Sequence, residues 1–192
     1  MGNVLINFSH EKACVQLART AGVTPQQIRE ALFDSGLETD YEAGKHTTDE
    51  VHARLERDLR VRLSLDAMLE AACDIFTRNE SMESLVGEIR SRGHRLVMLS
   101  NVNEAHFDWI AARYPFPKLF DALVLSYKVG AVKPDAAIYH AALKAAQHSA
   151  GECLFIDDMP ENVTAARHLG IHAHHFQGEQ RLRSALRELR IL

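Results

Sequence analysis

The stretch CLFIDDMPENVTAARHLG, residues 153–170, contains the transition that decides the fold. The apolar run from Cys153 to Ile156 ends in two adjacent carboxylates, Asp157 and Asp158. Pro160 comes next, a residue favoured at the first position of a helix, and the pattern is then amphipathic until Gly170, a helix stop. A short apolar run that leads directly into a helix is a strand–loop–helix unit. The same unit recurs on either side: RLVMLS (95–100) precedes NEAHFDWIAARY (103–114), DALVLS (121–126) precedes DAAIYHAALKAAQ (135–147), and HAHHF (172–176) precedes a last amphipathic helix. Strands alternating with helices predict a parallel sheet with helices on both faces, an α/β fold. These strands do not alternate apolar with polar residues, as suits a sheet covered on both sides.

Upstream of Ser81 the pattern differs. EKACVQLARTAGV (11–23) ends at Gly22; TPQQIREALFDSG (24–36) has Thr24 as a cap and Pro25 at its first position; TTDEVHARLERDL (47–59) has Thr48 ahead of two acids; SLDAMLEAACDIF (64–76) is a further segment of this kind. Amphipathic spacing puts Leu17, Leu32, Leu55 and Met68 into the packing of this all-helical unit.

In parallel sheets ligands bind beyond the carboxyl ends of the strands. Three such ends are polar here. Ser100-Asn101 closes one strand, and a hydroxyl beside free N–H groups cradles phosphate; the alternative is that Ser100 or Asn101 only caps the next helix. Asp157-Asp158 closes another, and paired hard oxygens suit Mg²⁺; the alternative is one Asp serving as a helix N-cap. Lys133 in KVGAVKPDAAIY supplies a point charge for a phosphate, with Lys128 as a nearby competitor. HAHH reads as a strand or its exit loop and not as a metal cluster, because alternation turns His175 away from His172 and His174. His94 and His106 are expected at the surface. Tyr41, Glu42 and Lys45 sit at a turn of the helical unit, where they either face a substrate or form an exposed connection. Arg181, Arg183, Arg187 and Arg190 read as a solvated helix face.

The 192 residues carry a net charge of −4, which gives no electrostatic footprint for nucleic acid or an anionic membrane. No apolar run is long enough to span a bilayer, and Ile6 occupies the position where a myristoylation motif requires Ser or Thr. The three separated cysteines, Cys14, Cys73 and Cys153, have no zinc or redox spacing and fit reduced thiols in a cytoplasmic protein.

Together LSN (99–101), Lys133 in VKPDAAIY and FIDDMPENVTAARHLG resemble, in order and spacing, the second, third and fourth motifs of the haloacid dehalogenase superfamily. YEAGKHTTDE (41–50) and Gly2-Asn3-Val4 are similar to the branch containing α-D-glucose-1-phosphate phosphatases and the N-terminal phosphatase domain of soluble epoxide hydrolases. The resemblance implies a Rossmann-like three-layer core (residues 1–9 and 80–192) with an inserted helical cap (residues 10–79). It further implies Mg²⁺ held by Asp157 and Asp158, and phosphate held by Gly2, Asn3, Ser100, Asn101 and Lys133, of which Ser100, Asn101 and Lys133 serve catalysis. The implied reaction is hydrolysis of a small phosphorylated metabolite, such as a sugar phosphate, through an aspartyl-phosphate in a monomer or weak homodimer. In that branch an aspartate nucleophile precedes Gly-Asn-Val at the end of a mid-sheet strand. The expectation is therefore that the first motif is truncated before its Asp, leaving two strand edges in the core, and that Gly2 stands where many relatives have a second, proton-donating Asp. The competing expectations are an inactive homologue that binds phosphate or a partner, and a metal-free haloacid dehalogenase, which the Asp157-Asp158 pair disfavours.

Overall fold

The computed structural model describes residues Met1–Leu192. The helical unit comprises α1 (His10–Ala21), α2 (Pro25–Arg29), which continues as a π-helical turn over Glu30–Asp34, α3 (Leu37–Glu42), α4 (Thr48–Leu59) and α5 (Leu65–Cys73). Local chemistry sets the boundaries. Thr24 and Thr47 each form a reciprocal capping box, with Gln27 and Glu50 respectively, and Gly22 closes α1 in the left-handed region. The cap of α4 is Thr47 and not Thr48, because only Thr47 has extended backbone and a side chain that accepts from Glu50 N–H. Leu17, Leu32, Leu55 and Met68 are all buried in one cluster with Ile28, Leu37 and Val51.

The remaining elements are β1 (Ile6–Asn7), β2 (Thr77–Arg78), α6 (Glu80–Ser91), β3 (Val97–Ser100), α7 (Glu104–Arg113), β4 (Ala122–Leu125), α8 (Ser126–Val129), α9 (Ala136–Ala146), β5 (Leu154–Asp157), α10 (Pro160–His168), β6 (His172–His175) and α11 (Glu179–Glu188). β3 pairs in parallel with β4, Val97 opposite Ala122 and Ser100 opposite Leu125. β5 pairs in parallel with β6, Leu154 opposite His172. Alternate residues divide between two cores. Met98, Leu154 and Ile156 pack with α6, α7 and α11, whereas Val97, Leu99 and Phe155 pack with α9 and α10. Both strand pairs therefore lie in one layer with helices on each face.

The two pairs are not hydrogen-bonded to each other. Between them lies an apolar cavity of about 440 Å³, lined by Val97 and Leu99 from β3 and by Leu154, Phe155 and Ile156 from β5. It is the larger of the two principal cavities, but it holds none of the polar strand ends described above, so the chemistry lies elsewhere. The helical unit joins the core through a two-residue antiparallel ladder, Ile6 opposite Arg78 and Asn7 opposite Thr77. Asn79 reinforces it, donating its N–H to the Leu5 carbonyl and its Nδ2 to the Val4 carbonyl. On α11, Leu182 and Leu186 face the core while Arg181, Arg187 and Arg190 are exposed, and Arg183 pairs with Glu179 and Glu88.

Candidate active site

A second cavity, of about 320 Å³, opens at the carboxyl ends of β3 and β5 beneath the helical unit. Gly2, Asn3, Ser100, Asn101, Lys133, Asp157 and Asp158 all line it, so residues up to 156 positions apart converge on one space. Parallel strands cause this convergence, since every carboxyl end points to the same edge.

Neither helix-cap alternative accounts for the polar ends. The N-cap of α7 is Asn103, not Ser100 or Asn101. Ser100 is buried and donates its Oγ–H to the Asn101 carbonyl at 3.0 Å. Asn101 works as a brace. Its Nδ2 donates to the Lys133 carbonyl (3.1 Å) and its Oδ1 accepts the Lys133 N–H (2.7 Å), fixing the loop that carries the lysine. Lys133 and Lys128 then separate clearly: Lys128 is exposed beside the Tyr127 ring, whereas the Lys133 side chain is only 6% exposed.

Lys133 Nζ donates to Asp157 Oδ2 at 2.6 Å. Asp157 Oδ1 accepts from Met159 N–H and Asn162 Nδ2, so this aspartate also steadies the start of α10, whose N-cap residue, Met159, has no capping side chain. Burial pushes the Asp157 carboxyl up, but the Lys133 charge and these hydrogen bonds outweigh it and hold the group below the usual carboxylate range. Asp158 faces outward and accepts from Asn3 Nδ2 at 3.1 Å, while its carbonyl meets His175 Nε2. His175 thus supports the loop, and HAHH is a strand, as its alternation implied.

No group of three or more His, Cys, Asp and Glu gathers anywhere in the chain, which excludes an all-protein metal cage. Two carboxylates at the rim of an open cavity are the smaller donor set that Mg²⁺ accepts, since it keeps waters and takes up phosphate oxygens. Asp158 fits that requirement through an oxygen that no protein donor occupies, whereas Asp157 is buried, its oxygens already met by Lys133, Met159 and Asn162, and has only remaining lone pairs to offer.

The opposite wall comes from residues that sequence reasoning missed or assigned only loosely. His10, Glu38, Glu42, Phe8, Phe76 and His106 line it. His106 is not a surface histidine: burial depresses its pKa to about 4, and its Nε2 meets the Ala72 carbonyl while Nδ1 faces Asn103 Nδ2, fixing a neutral ring protonated at Nε2. Asn103 also donates to Glu38 Oε1 at 3.0 Å, linking core to helical unit. Of the turn residues, Tyr41 is buried and accepts the Ala105 N–H, Lys45 pairs outward with Asp40, and Glu42 alone faces the cavity. The only sequence signal for this wall was the position of YEAGKHTTDE at a turn. Glu38 and His10 had none, because their approach depends on how the helical unit docks.

Known proteins share the sequence pattern and the fold. Residues 9–170 match the family described as hydrolase: haloacid dehalogenase-like hydrolase. The chain is 28% identical over 167 residues to a sesquiterpene phosphatase of Aspergillus oryzae, covering 82% of this chain and 81% of the relative. It is 25% identical over 187 residues to a D-ribitol-5-phosphate phosphatase of Bacteroides thetaiotaomicron, covering 93% and 88%. A crystal structure of a family enzyme from the same bacterium, described as a magnesium complex, superposes with a TM-score of 0.83 at 26% identity over 93% of this chain and 91% of that one.

Proposed function

The chain belongs to the haloacid dehalogenase-like hydrolases, and from that premise we propose that it is a Mg²⁺-dependent phosphomonoesterase for a small, polar phosphorylated metabolite. The observation that carries this reading is the buried Lys133–Asp157 pair at 2.6 Å, set among Ser100, Asn101, Asn3 and Asp158 at one sheet edge. A phosphate monoester needs positive charge, N–H and O–H donors and a hard-metal site together, and this edge offers all of them. Carbon–halogen hydrolysis makes no use of the Asp158 carboxylate at the rim. The cavity volume of about 320 Å³ and its Glu38, Glu42 and His10 wall favour a sugar or polyol ester over a long apolar one.

In this reading Lys133 balances charge on the phosphoryl oxygens, and Ser100 Oγ with backbone N–H groups of the 100–101 turn holds the group in line. Asn101 keeps Lys133 in register through its paired contacts with that residue's backbone. Bound at Asp157 and Asp158, Mg²⁺ would supply charge stabilisation to the phosphoryl group. The reacting carboxylate is a separate matter. Asp157 has both oxygens engaged, Asp158 sits at the rim beside Asn3, and Glu38 and Glu42 lie on the opposite wall. A nucleophilic aspartate at the end of a strand filling the apolar space between β3 and β5 would reach the same sheet edge as Lys133 and Asp157. Residues 10–79 then act as a cap over the site, and residues 1–9 with 80–192 as the core.

The test compares residues 1–192 with the same chain preceded by an apolar strand ending in Asp, using p-nitrophenyl phosphate with and without Mg²⁺. The extended chain is expected to turn over by several orders of magnitude faster, since the nucleophile acts as part of a unit. Equal turnover from both refutes the placement of the nucleophile. Halide release from haloacids without phosphate release refutes the phosphatase itself.

A further inference from the structure

We propose that Glu42, reaching down from the end of α3, is the acid that protonates the departing alcohol in the phosphatase reaction assigned above. An alkyl alkoxide is a poor leaving group, so P–O cleavage in a sugar or polyol ester requires a proton at the bridging oxygen. Gly2 has no side chain to give one, and an ideal Cβ there would lie 2.5 Å from the Phe8 ring, so no larger residue enters without moving Phe8.

The other groups facing this space are already committed. Lys133 is paired with Asp157, and that aspartate is held ionised. His106, from α7, is a neutral ring fixed by Ala72 and Asn103. His10, from α1, is driven towards its neutral form by burial. Asp158 accepts from Asn3 at the rim. Glu38, one turn before Glu42, is also pushed up by burial, but its Oε1 is engaged by Asn103 Nδ2 at 3.0 Å. Glu42 lines the cavity, half-buried, and has neither a hydrogen bond nor an ion pair with any protein group, so its carboxyl has no competing partner. Burial first, and then the charge of Glu38, raise its pKa to about 8, against the weaker pull of Lys133.

Its position is fixed by the docking of the turn that follows it. Gly44, at φ +70°, packs so closely on the Tyr127 carbonyl that a Cβ would come to 2.2 Å, and Tyr41 OH accepts the Ala105 N–H. Residues 41–44 are thereby clamped to α7 and α8 with Glu42 between the two anchors.

The step balances as follows. The nucleophilic carboxylate forms a bond to phosphorus as the bond from phosphorus to the bridging oxygen breaks. That oxygen leaves with the bonding pair, takes the Glu42 carboxyl proton and departs as a neutral alcohol. Glu42, now a carboxylate, accepts one proton from the water whose oxygen attacks the aspartyl-phosphate, which releases phosphate and restores both groups.

Two measurements on Glu42→Gln decide the matter. In the active chain, kcat is compared for an alkyl phosphate, glycerol phosphate, and for p-nitrophenyl phosphate, whose leaving group needs no proton. The loss for the alkyl ester is expected to be about 10²-fold or more and to exceed the loss for the aryl ester at least tenfold; equal losses overturn the assignment. Separately from turnover, ¹³C NMR titration of the carboxyl signal lost in Glu42→Gln should give a midpoint near 8. A midpoint below about 6 leaves Glu42 with no proton to give at neutral pH and overturns the proposal, whether or not any phosphate ester is hydrolysed. Absence of all phosphatase activity with a midpoint near 8 overturns the reaction assigned to the site and, with it, the acid role.

Discussion

Replacing Lys133 by Met keeps most of the side chain's volume and removes its charge, leaving Asp157 buried beside an apolar tip. The two side chains are 6% and 4% exposed and their charged atoms lie 2.6 Å apart. At an effective dielectric near 20 that separation corresponds to roughly 6 kcal/mol of attraction, much of which desolvation offsets. Breaking such a pair on one side typically costs about 3–5 kcal/mol. The lower end applies, about 3 kcal/mol, because Asp157 Oδ1 keeps its bonds from Met159 N–H and Asn162 Nδ2. For a chain of this length, a melting temperature lowered by roughly 6–12 °C follows. The pH dependence has a definite sign. In the wild type the Asp157 pKa is depressed on folding, so its contribution is complete above the unfolded value and is lost as pH falls through the folded one. In Lys133→Met burial dominates and the pKa rises above the unfolded value, so the penalty grows with pH. The stability gap between the two proteins should be widest at neutral pH and narrow towards about pH 4. Urea unfolding followed by circular dichroism in EDTA at pH 7, 5.5 and 4 measures it. A gap below about 1 kcal/mol at pH 7, or one that widens on acidification, refutes the reasoning.

Three further outcomes are expected. Ser126 is fully buried, accepting the Val102 N–H at 2.9 Å and donating to the Val102 carbonyl at 3.1 Å; Ser126→Ala should cost about 1–3 kcal/mol by urea unfolding, and a neutral result would mean that water or another donor replaces the hydroxyl. Gly44→Ala must push the Tyr127 carbonyl away and adopt a strained φ, so faster hydrogen exchange over residues 37–48 and a loss of more than about 1 kcal/mol should appear, whereas unchanged exchange would show that the turn is not clamped. Calorimetric titration with Mg²⁺ should give weaker binding to Asp157→Ala than to the wild type, and equal affinities would remove Asp157 from the metal site.

The parts of the site carried by the sheet were legible in the sequence, and those carried by the helical unit were not. Lys133, Ser100 and Asp157 each lie at or just beyond a strand end, and parallel pairing brings such ends to one edge by a local rule. Lys133 was preferred to Lys128 only through the family resemblance, and the two differ in burial, Lys133 being enclosed and Lys128 exposed. Glu38 and His10 face the same cavity through the docking of α1 and α3, a tertiary relation with no periodicity to announce it. His106 was misassigned for the same reason: its position on α7 resembles a surface position until Phe76 and Ala72 close over it. The fold class followed from the alternation of apolar runs and helices. The separation of β3 from β5 by an apolar space did not follow from periodicity, because non-local pairing leaves no mark in a strand buried on both faces; it was expected only through the family resemblance.

The Ile6–Arg78 and Asn7–Thr77 ladder has a consequence for how such a protein can change over evolutionary time. Antiparallel partners sit about 5 Å apart, so everything between residues 8 and 76 leaves and re-enters the core at nearly one point. To the core, that excursion is equivalent to a hairpin turn, and the entropic cost of closing it grows only logarithmically with its length. A recombination event that cuts at those two positions could replace the whole helical insert with another of different size, leaving the strand ends beneath it in place. The residues that the insert contributes to the cavity, Glu38 and Glu42 among them, would be exchanged as a cassette. Lys133, Asp157 and Asp158 would be inherited untouched.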